Sequence, residues 1–82
     1  MLFRSARGKD TWVIAQEGSV VDAYDGAFVE AQDGSIVNAF EGSRVDAYER
    51  AVIFAKKGST VVAAPSVIVH DEYGANVTRE ID

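Results

Sequence analysis

Residues 18–49 read GSVVDAYD, GAFVEAQD, GSIVNAFE and GSRVDAYE, four copies of one eight-residue repeat with no insertion between them. The register extends backwards through DTWVIAQE at residues 10–17 and forwards through RAVIFAKK, GSTVVAAP and SVIVHDEY at residues 50–73. It weakens in GANVTREI at residues 74–81. Repetition at a short fixed period is typical of repeat architectures, in which each small unit stacks on the next.

Every second place in the octad holds a small or β-branched residue. Numbered from its glycine, position 4 is valine or isoleucine from Val13 to Val77, and position 6 is alanine from Ala15 to Ala63. This period of two indicates a strand with one buried face, whereas a helix would need apolar residues three and four apart. We therefore predict short strands whose positions 2, 4 and 6 point inwards.

Positions 8 and 1 place an acid before a glycine at four consecutive joints, as in Asp25-Gly26 and Glu41-Gly42. Glycine reaches left-handed backbone angles without steric cost, so this pair suits a sharp corner between strands. Such a corner leaves no room for a crossover helix. The sequence therefore predicts an all-β fold, a single-stranded β-solenoid of either hand, with rungs about 4.8 Å apart.

The number of octads per coil follows from which residues would stack. At position 3, residues 16 apart form a uniformly β-branched column, whereas residues 24 apart would stack Arg44 between aliphatic side chains. Ladders of like residues stabilise stacked strands, so we predict two strands per coil and about four to five coils, with three strands per coil as the alternative. The 16-residue column at position 3 is Val20, Ile36, Val52 and Ile68.

The repeat divides the chain into an N-terminal tip or cap at residues 1–9, the solenoid at residues 10–77 and a tail at residues 78–82. The tip is apolar and then basic, and it is too short for a signal peptide. We predict that this segment is a terminal cap or a frayed end. The alternative is a weak interfacial membrane anchor. The anchor residues would be Leu2, Phe3, Arg4 and Arg7.

Composition narrows the classes of function. The chain has no cysteine, so disulfides and thiolate metal sites are excluded. Its 13 acids against eight Lys and Arg give a net charge of -5, which argues against nucleic acid as the main partner. We expect a cytoplasmic protein, with membrane association through the tip as an alternative.

Large apolar residues also occupy outward positions of the predicted strands. A monomer rarely exposes a contiguous apolar patch, so we predict that another copy or a partner covers this one; the alternative is that the inside and outside assignments are exchanged. Trp12 and Phe28 share a different outward column, where they would be a partner anchor or be covered by a neighbouring segment. The predicted interface residues are Val20, Tyr24, Ile36, Phe40, Val52, Phe54 and Ile68.

His70-Asp71-Glu72 is the one run whose residue types could bind a metal or act as acid and base. Adjacent strand residues point to opposite faces, so His70 and Asp71 would not converge. Asp71 replaces the alanine of every earlier octad, which suggests that the coil opens or is capped there. Calcium β-rolls need a denser Gly/Asp nonapeptide pattern. We expect no catalytic, cofactor or metal site, and no enzyme.

The octads from Asp10 to Val77, preceded by Met1-Leu-Phe-Arg4, resemble the bactofilins, which are small polymer-forming β-solenoids. The tip is similar to the apolar-then-basic peptide by which some bactofilins hold membranes. The eight-residue unit also resembles the intertwined trimeric β-helix of phage and type VI secretion spikes. These resemblances imply a non-enzymatic structural protein that self-associates, through open solenoid ends and its apolar face, into a filament or oligomer. The alternative is a spike-type or adhesin-like module that docks a protein partner.

Overall fold

The structure, a computed structural model, describes residues 2–79 and the side chains from Ser5 onwards. Within this range the chain forms ten short strands joined by corners of three or four residues. The strands are β1 (Leu2–Arg7), β2 (Trp12–Ala15), β3 (Ser19–Tyr24), β4 (Phe28–Ala31), β5 (Ile36–Ala39), β6 (Arg44–Ala47), β7 (Val52–Ala55), β8 (Thr60–Ala63), β9 (Ile68–Asp71) and β10 (Asn76–Arg79).

Successive strands alternate between two parallel sheets. Sheet A has the order β1-β3-β5-β7-β9 and sheet B the order β10-β8-β6-β4-β2, so one coil consists of one strand from each sheet. From β2 onwards each residue pairs with the residue 16 places later, as in Val21 with Val37 and Val29 with Val45. The protein is an all-β solenoid of about five turns, which confirms the prediction of two strands per coil.

The core is a narrow slot between the two sheets. Position 4 is fully buried from Val21 to Val61, and the position 6 alanines are buried from Ala15 to Ala63. The residues on the other face of each strand are half-buried or exposed, so the inside and outside assignment is confirmed. Because valine and alanine are small, the two sheets can approach closely and fill the slot with side chains alone.

Buried serines at position 2 are satisfied by the corners that precede them. The Ser35 hydroxyl donates to the carbonyl of Gln32 at 2.6 Å, and the Ser59 hydroxyl donates to that of Lys56 at the same distance. Ser19 and Ser43 repeat this contact. A buried hydroxyl without a partner would be destabilising, so the hydrogen bond explains why serine is tolerated inside the slot.

Each corner is a β-turn closed by a backbone hydrogen bond from position 2 to position 7, such as Ser35 N to Gln32 O at 3.1 Å. Gly34 has a φ of 79°, as the third residue of a type II turn requires. At Asp25 (φ 48°) and the glycine after it both angles are positive, as in a type I′ turn. At the corner where Arg50 replaces the glycine, the residue with a positive φ is instead Glu49 (φ 55°).

The strands extend past both ends of the predicted repeat, residues 10–77. Leu2–Arg7 of the predicted tip forms β1 and pairs with β3 along its whole length, while β10 continues to Arg79. The pairing offset between β1 and β3 is 17 residues, Leu2 with Ser19. The reason is that the corner after β1 has one residue more than the corner after β3. This shift takes β1 out of the octad register. Met1 and residues 80–82 lie outside the described residues.

Candidate interaction surfaces

All seven predicted interface residues lie on the outer side of sheet A, and we call this surface the apolar face. Its first column, at position 3, is aliphatic: Val20 pairs with Ile36, which pairs with Val52, which pairs with Ile68. Ile68, on the last strand of the sheet, is 52% exposed, and the other three are half-buried. The column is therefore a continuous aliphatic ridge along the solenoid.

Aromatic rings stack in part of the other two columns of the apolar face, whose remaining members are polar: Asp22 and Asn38 at position 5, and Lys56 and Glu72 at position 7. The rings of Tyr24 and Phe40, at position 7, lie 4.6 Å apart and 5° from parallel. Phe54, at position 5, stacks on His70 with centroids 5.0 Å apart. Ring stacking between neighbouring strands fixes the side-chain rotamers, so the apolar face is ordered before any partner arrives.

Charged groups occupy the two ends of the position 7 column. At the first strand, the Arg7 guanidinium lies 4.6 Å above the Tyr24 ring and 3.5 Å from the Asp25 carboxylate. At the last strand, the Glu72 carboxylate lies 3.9 Å from Lys56 Nζ. Each end of the position 7 column therefore carries a pair of opposite charges, Arg7 with Asp25 at the N-terminal end and Lys56 with Glu72 at the C-terminal end.

The outer side of sheet B carries the other predicted anchor. Trp12 is 65% exposed and meets Phe28 edge to face, with ring centroids 6.3 Å apart. The Arg44 guanidinium lies 5.5 Å from the Phe28 ring centroid. Trp12 and Phe28 border an open pocket of about 400 Å³, whose other lining residues are Lys9, Asp10 and Thr11.

The last coil carries charges where the earlier coils carry alanine. Asp71 pairs with Ala55 in sheet A, and Arg79 pairs with Ala63 in sheet B. The Arg79 guanidinium donates to the carbonyl of Val67 at 2.8 Å, so it covers part of the open end of the slot. Sequence reasoning singled out Asp71 but missed Arg79, although an arginine at position 6 of the weakening last octad was the available signal.

The predicted membrane tip is only partly described. The backbone of Leu2, Phe3 and Arg4 belongs to β1, but their side chains lie outside the described part of the chain. Arg7 is described, and its contacts are with Tyr24 and Asp25. Membrane contact through this segment stays a prediction. Residues 2–79 include no helix long and apolar enough to cross a bilayer.

His70, the one histidine of the chain, lies on the outer side of sheet A. The imidazole of His70 stacks on Phe54, and residues 2–79 contain no cluster of three or more His, Cys, Asp or Glu that could hold a metal. One carboxyl group with a shifted pKa lies at the corner between β4 and β5. There the hydrogen bond from Arg50 holds the pKa of the Asp33 carboxyl below its ordinary value of 3.8.

The outer sides of the two sheets differ in the side chains that they carry. The apolar face carries an aliphatic column and stacked rings on either side of the Asp22–Asn38 hydrogen bond, while the outer side of sheet B mixes an exposed tryptophan with charges. Comparisons with protein-family models, curated proteins and solved structures gave no match for this chain.

Proposed function

We propose that this protein is a non-enzymatic structural protein that self-associates, and that the apolar face is its main contact surface. The carrying observation is the pair of apolar columns on that face, the aliphatic ridge at position 3 and the Tyr24–Phe40 stack at position 7. Between them, at position 5, the carboxylate of Asp22 accepts a hydrogen bond from Asn38 and is therefore satisfied within the chain. Removing such a surface from water is favourable in proportion to its apolar area, at about 25 cal/mol per Å². The side chains already hold fixed positions, so little conformational entropy is lost on binding.

The free strand edges are a second route to association. β1 and β2 end the sheets on one side of the solenoid, and β9 and β10 end them on the other, all with parallel neighbours. A second copy could therefore continue both sheets head to tail, as the resemblance to bactofilins implies. Asp71 and Arg79 oppose this route, because a stacked coil would bury both charges. We therefore assign the stronger contact to the apolar face.

Two adjacent residues of β5 test the proposal because they point to opposite sides of the same strand. Val37 is fully buried, whereas Ile36 lies in the aliphatic ridge. Ile36→Asp should leave the fold intact and abolish association, whereas Val37→Asp should unfold the chain by burying an unpaired carboxylate. Circular dichroism measures the fold, and sedimentation velocity over a concentration series measures association.

Two outcomes would contradict the proposal. The first is a wild-type protein that sediments as a monomer at every concentration up to about millimolar, the weakest range of measurable affinity. The second is an Ile36→Asp variant that is folded and associates as strongly as the wild type. Asn38→Asp is unsuitable as a control because Asn38 donates a hydrogen bond to Asp22, but Thr60→Asp places the same charge on the outer side of sheet B.

A binding module that docks a protein partner is the second candidate, and the pocket beside Trp12 favours it. The ring of Trp12 is exposed, and tryptophan is enriched among residues that dominate binding energy. Trp12 is the only tryptophan of the chain, so its fluorescence reports on sheet B alone. Self-association through the apolar face should leave its emission maximum unchanged, whereas docking at the pocket should shift it to the blue.

A further inference from the structure

We infer that two copies pack apolar face against apolar face with their solenoid axes antiparallel, related by a twofold axis that runs parallel to the strands through β5. This inference rests on the proposed self-association and names its partner, a second copy of the chain, and its geometry. A twofold axis is the commonest symmetry of homodimers, and it makes the contact self-complementary. Two sheets packed face to face lie about 10 Å apart.

The twofold axis fixes which residues meet. It keeps each residue in its own column and exchanges the first strand of sheet A with the last, and the second with the fourth. In the aliphatic ridge, Ile36 meets the Ile36 of the other copy and Val20 meets Val52. At position 7, Phe40 meets its own counterpart. In the position 5 column between them, Asn38 meets its own counterpart and Asp22, which keeps its hydrogen bond from Asn38, comes opposite Phe54. The apolar residues of positions 3 and 7 are therefore buried on either side of a polar middle column.

Charge complementarity supports this arrangement. Arg7, at the first strand, comes opposite Glu72, at the last strand, so each dimer has two such pairs of opposite sign. Tyr24 comes opposite Lys56, which meets the edge of the ring, because Phe40 and the Arg7 guanidinium already cover the ring faces.

The other face-to-face twofold, parallel to the solenoid axis, fits poorly. It would exchange positions 3 and 7 within each strand, so the aliphatic ridge would cover the charged column. Val52 would come opposite Lys56, and Ile68 would come opposite Glu72. Each charge would lose water without gaining a partner, and that is costly. The antiparallel arrangement avoids these contacts, and it places Asp22 opposite Phe54 rather than opposite the Asp22 of the other copy.

The size of the apolar face sets the expected strength. Five strands about 4.8 Å apart, each contributing about five residues at about 3.3 Å, give a face of roughly 20 by 17 Å. A facing pair then buries on the order of 700–800 Å² in total, less than the usual range for stable specific complexes. We therefore expect a weak dimer, with a dissociation constant in the micromolar range or above, whose affinity falls as salt screens the charge pairs.

Charge reversal tests the geometry through mixing. Arg7→Glu alone brings Glu opposite Glu72 twice per dimer, and Glu72→Arg alone brings Arg opposite Arg7 twice. Each single variant should therefore dimerise about tenfold more weakly than wild type, the loss expected for exposed pairs that turn from attractive to repulsive. An equimolar mixture of the two variants should form a heterodimer with both pairs restored. Sedimentation equilibrium of each variant and of the mixture measures this.

Arg44→Glu is the matched control, because it reverses an exposed arginine on sheet B and should leave dimerisation unchanged. A mixture that associates no more tightly than the single variants overturns the antiparallel geometry, while a wild-type dimer still supports self-association. A wild-type protein that stays monomeric overturns both. If a reversal variant is unfolded by circular dichroism, crosslinking decides instead. The chain has no native cysteine, so Ile36→Cys should be joined to its counterpart by a short bismaleimide and Thr60→Cys should not.

Discussion

At the level of single residues, the glycines at position 1 serve two needs that the structure separates. Gly18 and Gly34 have nearly the same backbone angle, with φ values of 83° and 79°. They differ in what lies beneath them in the stack. A Cβ on Gly34 would lie 2.9 Å from Glu17 Cγ, whereas a Cβ on Gly18 would have no atom within 4 Å. One glycine therefore provides the backbone angle alone, and the other also leaves room for the neighbouring coil.

This difference predicts unequal costs for the same substitution. Gly18→Ala should lower the free energy of unfolding by about 1 kcal/mol, because alanine is strained at a left-handed angle. Gly34→Ala should cost about 1 kcal/mol more, as an overpacked contact does. Urea denaturation of both variants measures the difference. In a Glu17→Ala background, which removes the clashing Cγ, the excess cost of Gly34→Ala should disappear; equal costs in the original background would refute the packing argument.

At the level of strands and corners, the eight-residue repeat was enough to predict most of the fold. Its period of two assigned the inner and outer sides of every strand from β2 to β8, and the 16-residue aliphatic column gave two strands per coil. These features follow from local chemistry repeated many times, so one sequence is enough to read them. The apolar face was predicted for the same reason, because its residues fall in columns once the coil length is known.

The ends of the solenoid could not be read in this way. In β1, Arg4 pairs with Val21, at a place where the later strands have valine or isoleucine. An extra corner residue also shifts the pairing offset of β1 from 16 to 17, so the eight-residue period does not predict this strand. Arg79 binds the Val67 carbonyl, a contact that depends on where the stack ends rather than on the repeat. The arrangement of charges at the two ends of the position 7 column likewise became visible only when β1 was placed beside β3.

Corners without glycine are stabilised by side-chain hydrogen bonds, and one of these contacts predicts that the stability of the fold depends on pH. Arg50, which replaces the glycine, makes two hydrogen bonds to the Asp33 carboxylate, the shorter at 3.0 Å. This contact lowers the pKa of Asp33, so it stabilises the folded state above the ordinary value of 3.8 and is lost as the pH falls through the lowered pKa. Both groups are exposed, so the effect is small.

Asp33→Asn should therefore destabilise the protein at about pH 7 and make progressively less difference as the pH approaches 2. The measurement is the difference in urea midpoint between the variant and the wild type across this range. Glu41→Gln, at the opposite column of corners, is the control for loss of one negative charge. If the Asp33→Asn difference grows as the pH falls, the assigned role of Arg50 is incorrect.

At the level of the whole molecule, two charges of the last coil oppose the stacking of a second copy on the end of the solenoid. Asp71 and Arg79 replace alanines that would otherwise leave an apolar open end, and natural sheets use inward charges in this way against edge-to-edge association. Arg79 also supplies a donor to a carbonyl that would otherwise face the end of the stack.

We expect that Asp71→Ala combined with Arg79→Ala lengthens the assemblies by making the last coil resemble the inner ones. The reason is that a second copy could then stack on the end without burying a charge. Light scattering and negative-stain microscopy should show fibres for the double variant at concentrations where the wild type forms only small species. Thr78→Ala, which alters an outward residue of the same strand, should have no such effect. Unchanged particle size in the double variant would contradict this role for the two charges.

The pairing of each residue with the one 16 places later has a consequence for how such a chain can change during evolution. Duplication or loss of two octads would add or remove one full coil, and every downstream residue would keep its sheet and its neighbours. Duplication or loss of a single octad would move all downstream strands to the other sheet, and the aliphatic ridge would be cut in half between opposite sides of the molecule. Selection for the apolar face should therefore admit length variants only in steps of 16.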